Sequence, residues 1–289
     1  MMGLDLTSLV TRIIRSDYIF VWVTNAGAAE LTANSIASLG RAGVSGAHRL
    51  VVAVLDNRSA EIIGRFNFDV TVLRLIELES WHALALDAGE GYSAYDTQPF
   101  RIVTLARYLA IDHLLALHRR PVVYVDSDIV FMRDPTPHFR TLHSRFRPAV
   151  LVQSDRRADL DRKEWSRQYD TGARPDKSTI CAGFSVWQPN RRHRRLLKTI
   201  SQRILAERAL PDDQTIFNEI DNELLSCVRL LRQDLFPNGS MCFGNKYRPH
   251  EPIDLPQFDW SGAYMVHANW MIGIDNKVSA LKEAGLWLL

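Results

Sequence analysis

This 289-residue chain contains few cysteines and carries little net charge. Its three cysteines, Cys181, Cys227 and Cys242, are widely spaced, with no CxxC pair or Cys/His cluster of the kind that frames a zinc site. We therefore expect buried or free thiols in a reducing compartment, and we assign the protein to the cytoplasm. The formal net charge is only +2, so we expect no nucleic-acid partner.

Long hydrophobic runs and phosphate-binding glycine loops are also missing. Arg12 and Arg15 interrupt the apolar stretches of the N-terminus and no small-residue cleavage site follows, so we expect neither a secretory signal nor a transmembrane segment. No GxGxxG follows the first predicted strand and no GxxxxGK[ST] occurs, which excludes the usual dinucleotide and P-loop fingerprints. With 46% hydrophobic residues, the chain still has enough apolar material for a full core.

Short apolar runs alternate with helical periodicities, which predicts an α/β protein with a mostly parallel sheet. Thr97 is expected to cap a helix that extends to Leu117, and the β-branched run PVVYV that follows suits a central strand covered on both faces. Further strands are predicted near residues 18–23, 50–55, 70–75, 149–153, 182–187, 228–231 and 263–267. No repeat or linker divides the chain, so we expect one domain.

The strongest local motif is VVYVDSDIVFMRDP, in which Asp126 and Asp128 follow the predicted central strand. Open α/β sheets bind ligands at the carboxyl ends of their strands. If the chain stays extended, side chains two residues apart point the same way, so both carboxylates face one metal ion or one metal–diphosphate complex. The alternative is a polar turn in which Asp126 bonds to nearby backbone.

Three further segments contain candidate site residues. In AYMVHANWMIGIDNK, His267 ends a strand and Lys277 follows a turn at Gly273, so the segment offers an imidazole ligand and a phosphate contact. In DDQTIFNEI, Asp212 or Asp213 begins a helix, where an acid also complements the helix dipole. The small residues of CAGFSVWQPN allow either close approach to a ligand or tight sheet packing.

In this order the four motifs resemble those of nucleotide-diphospho-sugar transferases of the GT-A fold, most closely the glycosyltransferase family 77-like group and more distantly family 8. The resemblance covers nearly the whole chain, from Tyr18 to Trp287. It implies a Rossmann-like GT-A fold, with a central mostly parallel sheet flanked by helices and a smaller antiparallel element in the C-terminal half. It also implies a single domain over 1–289, with a nucleotide-binding half (1–130) and an acceptor and sugar half (131–289).

The resemblance implies the roles of individual residues. Asp126-Ser127-Asp128 becomes the DxD motif, with Asp128 on the metal, Asp126 on the metal and the donor ribose, and His267 as a further metal ligand. The remaining implied donor-site residues are Asp213 and Gln214 beside the anomeric carbon, Lys277 after Gly273 on the diphosphate, Thr24 and Asn25 on the nucleoside, and Arg101 or Arg107 near the donor.

The implied reaction is metal-dependent transfer of a sugar from a nucleotide-diphosphate sugar, expected to be a UDP-sugar, to a hydroxyl acceptor with retention of anomeric configuration. Mixed carboxylate and imidazole ligation fits Mn²⁺, with Mg²⁺ as a weaker substitute. The acceptor stays open: a glycan, a protein or a small molecule. The long polar stretch 155–179 is expected to act as a lid or acceptor wall.

Two alternatives compete with this interpretation. A haloacid dehalogenase-like phosphatase also has a DxD after an apolar strand, but normally after the first strand, whereas 125 residues precede Asp126 here. A nucleotide-sugar-binding module without turnover would keep the same fold.

Overall fold

A computed structural model of the protein describes residues 18–44, 50–77, 97–146, 149–155, 180–206, 213–220, 222–244 and 258–289. Its strands are β1 (Ile19–Thr24), β2 (Leu50–Val54), β3 (Thr71–Arg74), β4 (Val122–Val125), β5 (Ile129–Phe131), β6 (Val150–Ser154), β7 (Ile180–Trp187), β8 (Val228–Leu230) and β9 (Met265–His267). Its α-helices are α1 (Ala29–Arg41), α2 (Asn57–Gly64), α3 (Gln98–His118), α4 (Thr136–Arg145), α5 (Arg191–Ala206), α6 (Asp213–Asn218), α7 (Asn222–Leu225), α8 (Gly239–Phe243) and α9 (Ile274–Glu283). The expected lid lies, apart from Asp155, outside the described residues.

The strands form a seven-stranded sheet of order β3-β2-β1-β4-β7-β6-β8 and a separate two-stranded sheet of β5 and β9. Strands β1 to β4 pair in parallel, whereas β7 is antiparallel to both of its neighbours, β4 and β6. The β5–β9 pair is antiparallel. The predicted mostly parallel sheet and the smaller antiparallel element are therefore both confirmed.

The apolar residues of β1 alternate between two hydrophobic layers. Ile19, Val21 and Val23 belong to the core that includes α3 and α5, while Phe20 and Trp22 belong to the core that includes α1. All six residues of β1 and all four of β4 are buried, so the centre of the sheet is covered on both faces. This burial explains the continuous β-branched and aromatic runs in the sequence.

Helix α3 begins and ends as its sequence predicts. The Thr97 side chain accepts a hydrogen bond from the Phe100 N–H, and Pro99 occupies the first turn, where its missing N–H costs nothing. The helix ends at Arg119, whose φ of 51° is left-handed. Neither α3 nor any other helix in the described part of the chain is long and apolar enough to cross a membrane.

Two elements that the sequence analysis does not predict lie directly after the DxD motif. Strand β5 has only three residues and pairs with β9 more than 130 positions later, a long-range contact that local periodicity does not contain. Helix α4 begins within the Pro-Thr-Pro segment that resembles a turn, and Pro137 occupies its first turn. Both elements support the site from below the motif.

The segment after α9 is fastened to α1 by one buried amide. Asn34 Nδ2 donates to the Leu286 carbonyl at 3.2 Å, and Asn34 Oδ1 accepts from the Leu288 N–H at 2.6 Å. Leu281 and Leu286 pack in the same hydrophobic cluster as Leu31 of α1. Helix α9 is therefore held against α1.

Gly239, the first residue of α8, lies against the connection that follows β9. Its N–H donates to Asn269 Oδ1 at 2.6 Å, and a Cβ at this position would overlap the Asn269 carbonyl. Only a residue without a side chain fits between these two backbones.

We expect Gly239→Ala to lower the free energy of unfolding by about 1–3 kcal/mol, because the backbone must move to admit a methyl group. The matched control is Gly40→Ala in α1, where no atom lies within 4 Å of the new Cβ. The control should gain about 0.5–1 kcal/mol from helix propensity. Urea unfolding followed by circular dichroism measures both, and equal stabilities of the two variants would contradict the packing described.

Candidate functional site

The candidate site lies at the carboxyl ends of β1 and β4. At this point the strand order changes direction, because the chain adds β2 and β3 on one side of β1 and β4 on the other. Open α/β sheets have a crevice at this point. A cavity of about 130 Å³ opens there. Its polar lining consists of Thr24, Asn25, Thr104, Arg107, Tyr124, Asp126, Ser127, Asp128 and Lys277.

The chain turns at the DxD motif, so the condition under which both carboxylates would point the same way, an extended chain through Ser127, is not met. The Ile129 N–H donates to the Asp126 carbonyl at 3.3 Å, which closes a turn between β4 and β5. The Asp126 N–H continues the main sheet by donating to the Gly183 carbonyl of β7 at 2.8 Å. The turn nevertheless leaves the two carboxylates close together, because each approaches the same imidazole.

That imidazole belongs to His267, and the small β5–β9 sheet determines its position. Ile129 is in register with His267, and the Ala268 N–H donates to the Asp128 carbonyl at 3.0 Å. His267 Nε2 lies 3.1 Å from Asp128 Oδ1 and 3.8 Å from Asp126 Oδ2. One ligand atom from each of these three residues lies within 4.8 Å of the others.

The hydrogen bonds of Gln153 fix the tautomer of neutral His267. Gln153 Nε2 donates to the carbonyls of Phe236 and Pro237, so Gln153 Oε1 is the acceptor for His267 Nδ1 at 2.7 Å. The Nε2 lone pair of the neutral ring then faces two carboxylates. Such an arrangement of an imidazole nitrogen and carboxylate oxygens suits a shared divalent cation, and a second hydrogen bond at Nδ1 is typical of metal-ligating histidines.

Asp128 is buried and ion-paired. Lys277 Nζ donates to its Oδ2 at 2.6 Å. Burial alone raises the pKa of Asp128, but the positive charge of Lys277, joined by that of His267 when both ring nitrogens are protonated, outweighs burial and holds that pKa well below its ordinary value. Asp128 is therefore an ionised carboxylate, the form that binds a metal.

Gly183 leaves the space that two of the three candidate ligands, Asp126 and His267, occupy. A Cβ on Gly183 would come within 3.0 Å of both Asp126 Oδ2 and His267 Cε1. Any side chain at this point of β7 would displace one of the ligands. The small residues of CAGFSVWQPN thus serve close approach to the site, one of the two interpretations that the sequence leaves open.

Arg107 joins the DxD motif to the Asp-Gln segment. Its guanidinium lies 3.5 Å from Asp126 Oδ1 and 3.3 Å from Asp213 Oδ2, and it stacks over the Tyr124 ring at 4.9 Å. Burial lowers the pKa of Arg107, but Asp126 and Asp213 raise it well above its ordinary value. The buried Arg107 Nε has no hydrogen-bond partner among the described residues.

Two tyrosines complete this charged network. Tyr124 donates to Asp126 Oδ1 at 2.6 Å, and Tyr108 donates to Asp213 Oδ2 at 2.8 Å. Burial, together with the adjacent carboxylates, raises the pKa of both phenols well above the ordinary value. Both hydroxyls therefore remain protonated donors near neutral pH.

Gln214 lies beside this network and is fixed at both ends of its amide. Its Oε1 accepts from the Ala182 N–H at 3.3 Å, and its Nε2 donates to Asp155 Oδ2 at 2.8 Å. Asp155 Oδ1 in turn accepts from Asn269 Nδ2 at 3.2 Å and from Trp270 Nε1 at 3.0 Å.

The loop after β1 forms the opposite wall of the cavity. Thr32 Oγ1 of α1 lies 3.0 Å from Thr24 Oγ1 at the end of β1 and 2.8 Å from Ser127 Oγ, so three hydroxyls link the two ends of this loop to the centre of the DxD motif. Asp56 accepts from the Ala26 N–H at 2.9 Å and holds the loop against α2.

Most of the residues named in the sequence analysis converge here. Arg107 lines the cavity, whereas Arg101, nearly two turns earlier on α3, is absent from its lining as far as the structure describes it. Gly273 does not line the cavity, but it adopts a φ of 90° immediately before α9, the helix that carries Lys277. The predicted roles of these residues remain predictions.

Several contributors are absent from the sequence analysis. Tyr108, Tyr124 and Gln153 follow ordinary core patterns, so no local signal marks them. Asp155 does have a signal: it directly follows β6 as Asp126 directly follows β4, and the two strands run the same way because both are antiparallel to β7. An acid after each of two such strands lies at the same edge of the sheet.

Curated proteins of similar sequence are glycosyltransferases. The chain is 26% identical over 236 residues to UDP-D-xylose:L-fucose alpha-1,3-D-xylosyltransferase of Arabidopsis thaliana, an alignment covering 76% of the chain and 59% of that protein. It is 28% identical over 188 residues to UDP-galactose:fucoside alpha-3-galactosyltransferase of Dictyostelium discoideum, covering 58% of the chain and 25% of that protein. The chain thus spans well under two thirds of the length of these relatives.

Solved structures of similar fold are also glycosyltransferases. Mouse xyloside xylosyltransferase 1 in its apo form aligns with a TM-score of 0.52 at 12% identity, covering 88% of this chain and 98% of that one. The galactosyltransferase LgtC, solved with donor and acceptor sugar analogues, aligns with a TM-score of 0.52 at 13% identity, covering 93% and 96%. At this identity the likeness establishes the GT-A fold.

The sequence profile of the nucleotide-diphospho-sugar transferases matches residues 46–281, which include all four motifs. This match favours a sugar transferase over the phosphatase alternative, as does the position of the DxD motif after β4 rather than β1. The chain belongs to the nucleotide-diphospho-sugar transferase family.

Proposed function

We propose that the protein is a metal-dependent, retaining glycosyltransferase that moves a sugar from a UDP-sugar to a hydroxyl group of a sugar acceptor. The observation that carries the proposal is the position of Arg107, which contacts both Asp126 of the DxD motif and Asp213 beside Gln214. The buried Arg107 guanidinium thus joins the candidate metal ligands to the residues assigned to the donor sugar. The proposed activity needs these two groups side by side.

Asp126, Asp128 and His267 would hold the cation, and two carboxylates with one imidazole suit Mn²⁺, with Mg²⁺ as a weaker substitute. When bound, a divalent cation would offset the negative charge that develops on the leaving diphosphate. Lys277 and Arg107 supply fixed positive charge to the same cavity. We assign the diphosphate to Lys277 and the nucleoside to the wall that contains Thr24 and Asn25.

Retention of configuration is supported by the state of Asp213. Its Oδ2 already accepts from Tyr108 and contacts Arg107, so this oxygen is engaged by the protein rather than available to deprotonate an acceptor. The neighbouring Gln214 has a neutral amide and is a poor base. In the front-face substitution that we favour, the bond from the anomeric carbon to the acceptor oxygen forms on the face where the bond to phosphate breaks. The acceptor proton passes to the departing phosphate oxygen.

The acceptor is expected on the side of Gln214, in the acceptor half of a single domain (131–289). The names of the relatives from Arabidopsis and Dictyostelium specify L-fucose or a fucoside as acceptor, UDP-sugars as donors and α-linked products. We therefore propose L-fucosides as the first acceptors to test. A binding module without turnover is the competing function, and release of UDP from UDP-xylose or UDP-galactose separates the two.

Metal dependence is the first testable consequence. Excess EDTA should abolish UDP release, and Asp128→Asn should weaken the binding of UDP with Mn²⁺ by at least about tenfold, because the cation loses a carboxylate ligand. Calorimetric titration of UDP in the presence of Mn²⁺ measures this binding. Asp112→Asn is the control, since this acid pairs with Arg194 on the protein surface. Full turnover in excess EDTA would overturn the metal assignment.

Gly183 provides a second test that does not depend on turnover. We expect Gly183→Ala to reduce Mn²⁺ affinity by at least about tenfold, because the new methyl group occupies the space of the Asp126 carboxylate and the His267 ring. The electron paramagnetic resonance signal of free Mn²⁺ reports the affinity directly. Gly64→Ala, with no atom within 4 Å of the added Cβ, should bind Mn²⁺ as the unmodified protein does. Equal affinities in both variants would contradict the proposed ligand set.

Product stereochemistry is the third test. An α-linked donor should give an α-linked product, identified by proton NMR of the first-formed glycoside. Asp213→Asn should lower turnover by roughly 100-fold, because the donor sugar loses its orientation. Gln214→Ala should keep partial activity if no covalent intermediate forms on Gln214. A β-linked first product would contradict retention.

A further inference from the structure

Asp155 lies outside every motif of the family resemblance and yet accepts hydrogen bonds from three described side chains at the site. It follows β6 directly and is half-buried. Its donors are Gln214 Nε2 at 2.8 Å, Asn269 Nδ2 at 3.2 Å and Trp270 Nε1 at 3.0 Å. These donors lie 59, 114 and 115 positions away in sequence, so one carboxylate joins three elements.

The carboxylate selects one orientation of the Gln214 amide. With Nε2 on Asp155 and Oε1 on the Ala182 N–H, both contacts are favourable. The flipped amide would place its oxygen against the carboxylate and its NH₂ group against an N–H, which makes both contacts repulsive. A primary amide has two N–H donors and two acceptor positions, so among the described residues one of each on Gln214 is not used by the two bonds above.

The same carboxylate also restrains the connection that follows β9. Trp270 has a φ of 67°, an unfavourable conformation for a residue with a bulky side chain, and its indole N–H bonds to Asp155. Asn269 donates to Asp155 and accepts from the Gly239 N–H. This connection starts two residues after His267, so its position affects the segment that carries a candidate metal ligand.

We propose that Asp155 is a positioning residue for sugar transfer: it locks the Gln214 amide and the Asn269–Trp270 connection into one unit that presents Gln214 to the reacting sugar. The inference rests on the proposed function, which places Gln214 beside the anomeric carbon. Asp155 acts through Gln214 and does not belong to the lining described for the donor cavity. Its effect should therefore fall on kcat and leave donor binding unchanged.

The test is a double-mutant cycle of Asp155→Asn and Gln214→Ala in the metal-loaded protein. Asparagine has the shape of aspartate but presents an NH₂ group to one of the three N–H donors. Asp155→Asn should lower kcat by about 10- to 100-fold, while the dissociation constant of UDP with Mn²⁺ stays within about twofold. In the Gln214→Ala background, the same substitution should cost less than about twofold, because the amide it orients is gone.

Trp270→Phe is the matched control within the same network. It removes one donor to Asp155, keeps an aromatic ring and leaves the Gln214 bond intact, so kcat should fall only a few-fold. Equal losses from Asp155→Asn in both backgrounds, or a loss in Trp270→Phe as large as in Asp155→Asn, would overturn the proposal. Weaker UDP binding in Asp155→Asn would also overturn it.

A readout without turnover keeps this inference separable from the proposed function. In protein labelled with ¹⁵N-glutamine, the side-chain amide peaks of Gln214 are identified by their loss in Gln214→Ala. Asp155→Asn should shift these peaks, whereas Trp270→Phe should leave them nearly in place. If the unmodified protein releases no UDP from any UDP-sugar, the proposed function fails, and unshifted Gln214 peaks in Asp155→Asn would overturn the orienting role independently.

Discussion

Burial of negative charge at one edge of the sheet is the constraint on which the rest of the site depends. Asp128 and Asp213 are 4% and 5% exposed, and Asp126 shares Arg107 with Asp213 and His267 with Asp128. Buried carboxylates are costly unless cations or hydrogen-bond donors compensate them. Arg107 and Lys277 supply positive charge, and Tyr108 and Tyr124 supply neutral donors. The length and start of α3 matter because this helix carries both Arg107 and Tyr108 into the core.

The small β5–β9 sheet determines where the buried carboxylates lie relative to His267. A turn at Ser127 brings the Asp128 carboxylate close to the His267 imidazole, and the register of Ile129 with His267 fixes the position of the two side chains relative to each other. Gln153 then determines which ring nitrogen faces the carboxylates. A three-residue strand is weak alone, but here every one of its side chains is buried, so packing holds the register.

The sequence contains the chemistry of the site more fully than its geometry. Asp126, Asp128 and His267 are predicted from residue type and from their position at strand ends, Lys277 from its place after the Gly273 turn, and the mostly parallel sheet from alternating periodicities. The direction of β7 and the pairing of β5 with β9 depend on contacts between distant segments, which no local window contains. Asp155 is intermediate: its place after β6 is visible, but its partners are set by tertiary packing.

The hydrogen bonds of Asn34 with Leu286 and Leu288 have a consequence for synthesis of the chain. They join positions 252 and 254 residues apart, and the helix they secure carries Lys277. Chains emerge from the ribosome N-terminus first, so the sheet from β1 to β4 is available long before this helix. A nascent chain can therefore build β1 to β4 early, but α9 can be fastened to α1 only when residues near 288 have emerged. Until then Asp128 lacks the charge and the hydrogen bond of Lys277.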